Sequence, residues 1–199
     1  FALMRLGAVL VALNPITEEH YVNRVLADCR PTLLVAQTKF LRRFASGLDP
    51  ELLPSRLLLE EELGLDDFAP GAERMRIEEA AELRLPDDLA LPAPRDLAMI
   101  LYTSGTTGAP KGVCLSQRNL LANTESIVEY LELDESERVL VLLPFYYSYG
   151  HSVLLSHVAV GGCMVIDNRF GFPNAVLDTA LADKGTGLPG VASTFNLLM

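Results

Sequence analysis

The fold is decided by the stretch LAMILYTSGTTGAPKGV, which runs from Leu97 to Val113. Its first part, Leu97 to Tyr102, is an apolar run with the length and flanks of a buried β-strand. Its second part is a loop rich in glycines and hydroxyl side chains that ends in a lysine. Glycines let backbone N–H groups approach an anion closely, while hydroxyls and an ammonium group add donors and positive charge. The sequence therefore predicts a polyphosphate-binding loop whose binding residues are Thr103, Ser104, Gly105, Thr106, Thr107, Gly108 and Lys111.

This loop differs from the two most familiar phosphate loops. The Walker type requires G-x-x-x-x-G-K-[ST] and a helix that starts at the lysine. Here Pro110 and Gly112 flank Lys111 and oppose a helix at that point. Val113 to Ser116 is apolar enough to be a second strand, and the dinucleotide fingerprint G-x-G-x-x-G is absent. The expected arrangement is strand, loop, strand.

The residues from Tyr102 to Val113 closely resemble, without gaps, the phosphate-loop signature of the adenylate-forming superfamily. That superfamily includes acyl-CoA synthetases, adenylation domains of nonribosomal peptide synthetases and firefly-type luciferases. The resemblance implies an α/β fold with a mostly parallel sheet flanked by helices. It also implies that residues 1–199 are an incomplete piece of the large N-terminal domain, truncated at both ends, with the C-terminal domain absent.

Three other segments extend the resemblance along the chain. Residues 7–15, GAVLVALNP, are similar to the family's G-A-V-x-V-P-L-N-P, and residues 190–198 to its G-V-P-T-x-x-x-x-L. Residues 143–150, LPFYYSYG, resemble L-P-x-F-H-x-x-G, with Tyr147 in place of the histidine. In the family this segment begins the helix that lines the acyl pocket, so the resemblance places Tyr147 and Gly150 at the substrate pocket. A tyrosine can fill that volume, but with an ordinary pKa of about 10 it cannot shuttle protons at neutral pH.

The reaction implied by the resemblance has two steps. A carboxylate attacks the α-phosphate of ATP to give acyl-AMP and pyrophosphate, and a thiol of CoA or of a phosphopantetheinyl carrier protein then takes the acyl group. Thr103 and Lys111 are the expected catalytic residues, because they can stabilise charge on the departing pyrophosphate. Mg²⁺ is expected with ATP, with its protein ligand outside these residues. The aromatic residues 145–149 favour a fatty or other apolar acyl substrate, and the 199 residues alone are expected to be inactive.

The sequence leaves three alternative functions open. The nearest is an amino-acid-activating adenylation domain, which differs by an aspartate that pairs with the substrate amine. Another is a non-catalytic nucleotide-binding module that keeps the fold. A P-loop kinase is the most distant, because Pro110 and Gly112 oppose it.

The composition of the chain excludes some classes of binding partner. A net charge of −10 argues against nucleic acid and against an anionic membrane surface. The apolar residues 1–13 are too short to span a bilayer and lack the features of a signal peptide. Three widely separated cysteines are expected to be buried free thiols in a reducing compartment, which favours a cytoplasmic protein. No CxxC or His/Cys cluster is present, and His151 and His157 are six residues apart, so no metal site is predicted.

Alternation of apolar runs and helical patterns predicts parallel α/β units. One helix is expected to start near Thr17 and to bury Tyr21, Val22, Val25 and Leu26 on one face. Residues 1–6 are expected to be the last turns of a helix that ends at Gly7. The other predicted strands are 8–13, 32–36, 56–59, 113–116, 139–143, 161–167 and 187–191, and the other predicted helices are 37–45, 75–85, 119–131 and 172–182.

Overall fold

The computed structural model describes residues 2–44, 46–61, 69, 71–81, 89–103 and 110–198. Helices and strands alternate over most of this range. The helices are α1 (Ala2–Arg5), α2 (Glu19–Cys29), α3 (Thr38–Phe44), α4 (Ile77–Ala81), α5 (Gln117–Leu131), α6 (Ser148–Val160), α7 (Pro173–Ala182) and α8 (Ala192–Leu198). The strands are β1 (Leu10–Val11), β2 (Leu34–Ala36), β3 (Arg56–Leu59), β4 (Glu73–Arg76), β5 (Leu97–Thr103), β6 (Lys111–Ser116), β7 (Arg138–Val141) and β8 (Cys163–Ile166).

The strands form three small sheets, in the orders β1-β5-β6, β2-β3-β4 and β7-β8. The strand pairs whose register is described are all parallel. Parallel strands must be joined by crossovers, and helix α3 lies between the paired strands β2 and β3, as α6 lies between β7 and β8. The predicted α/β fold with parallel sheets and flanking helices is confirmed.

The chain divides into two compact units, one of which comprises residues 13–91 and 102–113. Its core is formed by α2, α3 and β3, with Leu26, Leu41 and Leu59 among the buried side chains. On α2, the predicted apolar face is confirmed at Val22, Val25 and Leu26, while Tyr21 is only half-buried. The helix starts at Glu19 rather than at Thr17, with Glu18 at the N-cap.

The other unit comprises residues 1–12, 92–101 and 114–199. Its core includes Val139 and Val141 of β7 and Val153 of α6. The β5 residues Ala98 and Met99 have no exposed surface, so the predicted burial is confirmed for these two, while Thr103 at the end of the strand is exposed. Gly7 follows α1 with a φ of +72°, the left-handed conformation that glycine adopts most readily, so the predicted helix end is confirmed.

Two predicted elements differ from the structure. Residues 73–76 form strand β4, so the predicted 75–85 helix is wrong at residues 75–76 and confirmed at 77–81, while 82–85 lie outside the described residues. Met75 pairs with Leu58 in a parallel ladder, so tertiary pairing overrides the helical pattern. Residues 187–191 make a single bridge, from Gly187 to Val139, instead of a strand. Pro189 has no N–H with which to extend a ladder.

The cysteine prediction is only partly right. All three cysteines are free, as expected, but Cys114 and Cys163 are exposed and Cys29 is half-buried. Cys114 lies on β6, at the edge of its sheet, and Cys163 begins β8 of a two-stranded sheet. Side chains on such strands have fewer neighbours to cover them, which an apolar sequence context does not reveal.

Candidate functional site

Thr103 and Lys111 occupy the two ends of the predicted phosphate loop. Thr103 is the last residue of β5, and Lys111 is the first residue of β6. The two strands are hydrogen-bonded neighbours in one sheet, and both side chains are exposed. The remaining predicted loop residues, Ser104, Gly105, Thr106, Thr107 and Gly108, lie outside the described residues. The structure therefore brings the strands that carry the two ends of the loop side by side.

The strands on the two sides of the predicted loop belong to one sheet. Strand β5 pairs with β1 in parallel register, Leu10 with Met99 and Val11 with Ile100. After the loop, Lys111 starts a strand and not a helix. The strands predicted before and after the signature are confirmed, and a strand that starts at Lys111 is incompatible with the Walker geometry.

The junction between β6 and α5 is held by a capping box. The Ser116 hydroxyl accepts a hydrogen bond from the Asn119 backbone N–H at 3.2 Å, and the Asn119 side-chain oxygen accepts from the Ser116 backbone N–H at 3.0 Å. The Gln117 N–H also donates to the Asp96 carbonyl oxygen at 2.9 Å. Because Asp96 directly precedes β5, these bonds tie the start of α5 to the start of the strand that leads to the loop.

The end of β5 is bonded to a distant helix. The Tyr102 hydroxyl lies 2.5 Å from a carboxylate oxygen of Asp28, in the last turn of α2. Burial raises the pKa of the neighbouring Cys29 thiol, and the nearby Tyr102 hydroxyl opposes that rise. Sequence reasoning did not identify Asp28, because no local pattern relates two residues 74 positions apart.

Tyr147 and Gly150 lie at the start of α6. Tyr147 is the N-cap residue, its ring centroid is 4.6 Å from that of Tyr146, and about half of its surface is exposed. Gly150 is buried in the first turn. A β-carbon at position 150 would lie 2.3 Å from the carbonyl oxygen of Pro144, so this position admits no larger residue without movement. Tyr147 is thus accessible, while Gly150 lets the helix approach the preceding segment.

A groove of about 420 Å³ lies beside this helix, and the sequence did not predict it. His151 lines it and is buried, and burial lowers the pKa of its imidazole, which favours the neutral form. The Nε2 atom of His151 has no hydrogen-bond partner among the described residues. Neither Tyr147 nor Gly150 is among the lining residues, which are Leu101, Leu115, Asn119, Leu120, Asn123, Ser148, Tyr149, His151, Ser152 and Leu155.

Both histidines of α6 are buried within the helix packing. His157 Nδ1 lies 2.9 Å from the Val153 carbonyl oxygen, one turn earlier. Within the described part of the chain, no group of three His, Cys, Asp or Glu side chains is placed to hold a metal ion. The described helices also include none that is both long and apolar enough to cross a membrane.

Comparison with known protein families shows to which family the chain belongs. The chain matches the sequence model of the family described as AMP-binding enzyme over residues 1–199. The chain belongs to the AMP-binding enzyme family. This confirms the resemblance to the adenylate-forming superfamily that the loop signature indicated.

Individual members of the family are similar over most of this chain. The chain is 32% identical over 176 residues to 4-coumarate–CoA ligase 5 of Oryza sativa subsp. japonica, covering 83% of this chain and 30% of that protein. It is 26% identical to the long-chain-fatty-acid–CoA ligase of Bacillus subtilis (strain 168), covering 95% of this chain and 38% of that protein. The crystal structure of ATP-bound MatB from Rhodopseudomonas palustris superposes with a TM-score of 0.77 at 26% identity, covering 99% of this chain and 37% of that one. The chain thus spans between about a third and two fifths of the length of these relatives.

Proposed function

We propose that the protein carrying these residues is an AMP-forming ligase. It activates a carboxylic acid with ATP to form acyl-AMP and pyrophosphate, and transfers the acyl group to a thiol. The observation that carries the proposal is the placement of Thr103 and Lys111 at the ends of neighbouring strands, in a chain of the AMP-binding family. The relative captured with ATP and the two CoA ligases support the same chemistry.

The first step breaks the bond between the α-phosphorus and the oxygen that bridges to the β-phosphate. A carboxylate oxygen of the substrate forms a new bond to the α-phosphorus, and pyrophosphate leaves with the electron pair. Negative charge therefore increases on the β- and γ-phosphates. The Lys111 ammonium and the Thr103 hydroxyl stabilise that charge where it develops, together with Ser104, Gly105, Thr106, Thr107 and Gly108 of the signature.

In the second step the thiol sulfur attacks the acyl carbon of acyl-AMP. The bond from that carbon to the phosphate oxygen breaks, AMP leaves, and the thiol proton passes to solvent. The acceptor is CoA or a carrier-protein phosphopantetheine, and the CoA ligases among the relatives favour CoA.

We assign the acid to the fatty or otherwise apolar class. Tyr147, half-exposed at the start of α6, and the buried Gly150 beside it are the proposed pocket residues of this chain. An aromatic side chain at the pocket favours an apolar acyl group because its contact area is largely hydrocarbon.

Mg²⁺ enters the proposal as the ion that accompanies ATP, since phosphate oxygens bind hard cations. The described residues supply no cluster that would hold it. The roles proposed for Thr103, Lys111, Tyr147 and Gly150 are the binding of the phosphates and of the acyl group.

The proposal is tested by carboxylate-dependent exchange of radioactive pyrophosphate into ATP. The experiment uses the full-length protein that contains these residues, with fatty, aryl and amino acids. Lys111→Ala is compared with Lys39→Ala, because Lys39 is an exposed lysine on α3 outside the site. We expect exchange with one class of acid, lost in Lys111→Ala and retained in Lys39→Ala.

The outcomes separate the alternatives. Exchange with amino acids only would replace the apolar-acid assignment by that of an amino-acid-activating domain. A folded protein that binds ATP but gives no exchange with any acid would indicate a non-catalytic nucleotide-binding module. We further propose that the 199 residues alone form no acyl-AMP, because they span at most about two fifths of the length of the rice, Bacillus and Rhodopseudomonas relatives. Acyl-AMP formation by this piece would overturn that last proposal.

A further inference from the structure

The contact between Tyr102 and Asp28 lies one residue from the proposed phosphate site. Tyr102 is the penultimate residue of β5, and Thr103 directly follows it. The Tyr102 hydroxyl donates to Asp28 Oδ2 at 2.5 Å. A hydrogen bond to an ionised carboxylate is shorter and stronger than one between neutral groups. The end of β5 is therefore joined to α2 by a side-chain hydrogen bond.

Helix α2, which carries Asp28, is packed into the core of its unit. Val22, Val25 and Leu26 of α2 are buried, and two of them belong to the core of their unit. The helix ends at Cys29, and Arg30 in the left-handed conformation donates its N–H to the Leu26 carbonyl oxygen. Asp28 thus lies in a last turn whose backbone is packed and capped, while its own side chain is exposed.

Asp28 has no favourable direct role at a phosphate site, because its carboxylate would repel the nucleotide anion. Its contribution must act through the group it contacts. We propose that Asp28 is a positioning residue that holds Tyr102, and through it Thr103, in the orientation needed to bind the nucleotide triphosphate. This inference rests on the proposed function, in which Thr103 contacts the phosphates of ATP.

The test compares hydroxyl and carboxylate removal in the full-length protein. Tyr102→Phe removes only the donor, and Asp28→Ala removes the acceptor. Asp28→Asn keeps an oxygen that can accept the same bond, so it is the conservative rescue. Tyr21→Phe is the matched control, because it removes a tyrosine hydroxyl from α2 at a position away from Asp28.

Two readouts are measured for each variant, the Kd for ATP by titration calorimetry and the steady-state KM values for ATP and for the acid. We expect Tyr102→Phe and Asp28→Ala each to raise the Kd and the KM for ATP by about three- to tenfold. The KM for the acid should be unchanged, and Asp28→Asn should lie between Asp28→Ala and the wild type. The double variant Tyr102→Phe/Asp28→Ala should be no worse than the poorer single variant, since each single variant already removes the Tyr102–Asp28 hydrogen bond.

The outcomes distinguish this inference from the proposed function. A wild-type protein that catalyses exchange, with an unchanged ATP Kd in folded Tyr102→Phe, would overturn the positioning role and leave the function intact. Additive effects in the double variant would also overturn it. A wild-type protein that binds ATP without any exchange would remove the ligase proposal, while the ATP Kd values would still decide the positioning role. Absence of ATP binding by the folded wild type would overturn both.

Discussion

Gly150 and Pro144 approach each other so closely that a β-carbon at position 150 would lie 2.3 Å from the Pro144 carbonyl oxygen. The same β-carbon would be 3.0 Å from the carbonyl oxygen of Leu143. Both neighbours are backbone atoms, which cannot rotate away as a side chain can. Glycine is required at this position by the space between the first turn of α6 and the segment before it, whatever the pocket binds.

Gly150→Ala is therefore expected to destabilise the protein. Relief of the contact requires a backbone shift, and overpacking of this kind costs roughly 1–3 kcal/mol. Urea denaturation measures the change in the free energy of unfolding. Gly171→Ala is the control, because a β-carbon there meets no atom of the described residues within 4 Å and the backbone is not left-handed. Equal stabilities of the two variants would contradict the steric argument.

The capping box at Ser116 gives a second prediction. Ser116→Ala leaves the Asn119 N–H without its side-chain acceptor at the start of α5. Loss of an N-cap side chain costs about 1 kcal/mol. The free energy of unfolding should fall by that amount, while Ser55→Ala, at an exposed serine just before β3, should leave it nearly unchanged. A loss of the same size in both variants would show that the effect does not come from the cap.

Thr103 variants test the proposed phosphate contact. Thr103→Ala should lower the rate of ATP–pyrophosphate exchange about ten- to hundredfold, the range expected for a lost hydrogen bond to a charged group. Thr103→Ser should retain most of the activity, because it keeps the hydroxyl. Thr32→Ala removes an exposed threonine outside the site and serves as the control. If Thr103→Ser were as inactive as Thr103→Ala, the hydroxyl would not be the functional group.

The fold could be predicted from the sequence where the residues buried in the core also have the spacing of a helix or a strand. Helix α2 carries buried Val22, Val25 and Leu26 on the predicted face, and β3 has the predicted bounds, Arg56–Leu59. In both elements the residues that face the core also have the spacing of the element. Strand β4 could not be predicted, since Met75 adopts a strand conformation by pairing with Leu58 of β3. No pattern within residues 73–81 encodes that partner.

Some residues of the candidate site could likewise be predicted from the sequence, and others could not. Thr103 and Lys111 could be named from the sequence because the loop signature is contiguous. Asp28 could not, because its contact with Tyr102 depends on how α2 packs beside the end of β5. The groove beside α6 also escaped prediction, since its lining residues come from β5, β6, α5 and α6. Functional residues that are contiguous can be recognised in a sequence, whereas contacts between residues far apart in the chain are known only once the fold is known.

The carboxylate of Asp167 gives a pH-dependent prediction. Asp167 is buried and accepts hydrogen bonds from the Arg169 guanidinium at 2.7 and 3.0 Å and from the Arg169 backbone N–H at 2.8 Å. These bonds favour the ionised form and hold the pKa of Asp167 well below its usual range. The Arg169 guanidinium also lies 2.5 Å from the Thr179 hydroxyl of α7, so the ion pair ties the segment after β8 to that helix.

The sign of the effect follows from the lowered pKa. An unfolded aspartate titrates at about pH 3.9, so the pair stabilises the folded protein fully above that pH. The stabilisation is lost as the pH falls from there toward the lower pKa of the folded state. Asp167→Asn should therefore be less stable than the wild type at pH 7, and the difference should shrink below about pH 4. Urea denaturation from pH 7 to pH 2 measures it, with Glu129→Gln, at an exposed carboxylate of α5, as the control. A stability difference that stays constant over this range would show that the ionised Asp167 is not the source of the stabilisation.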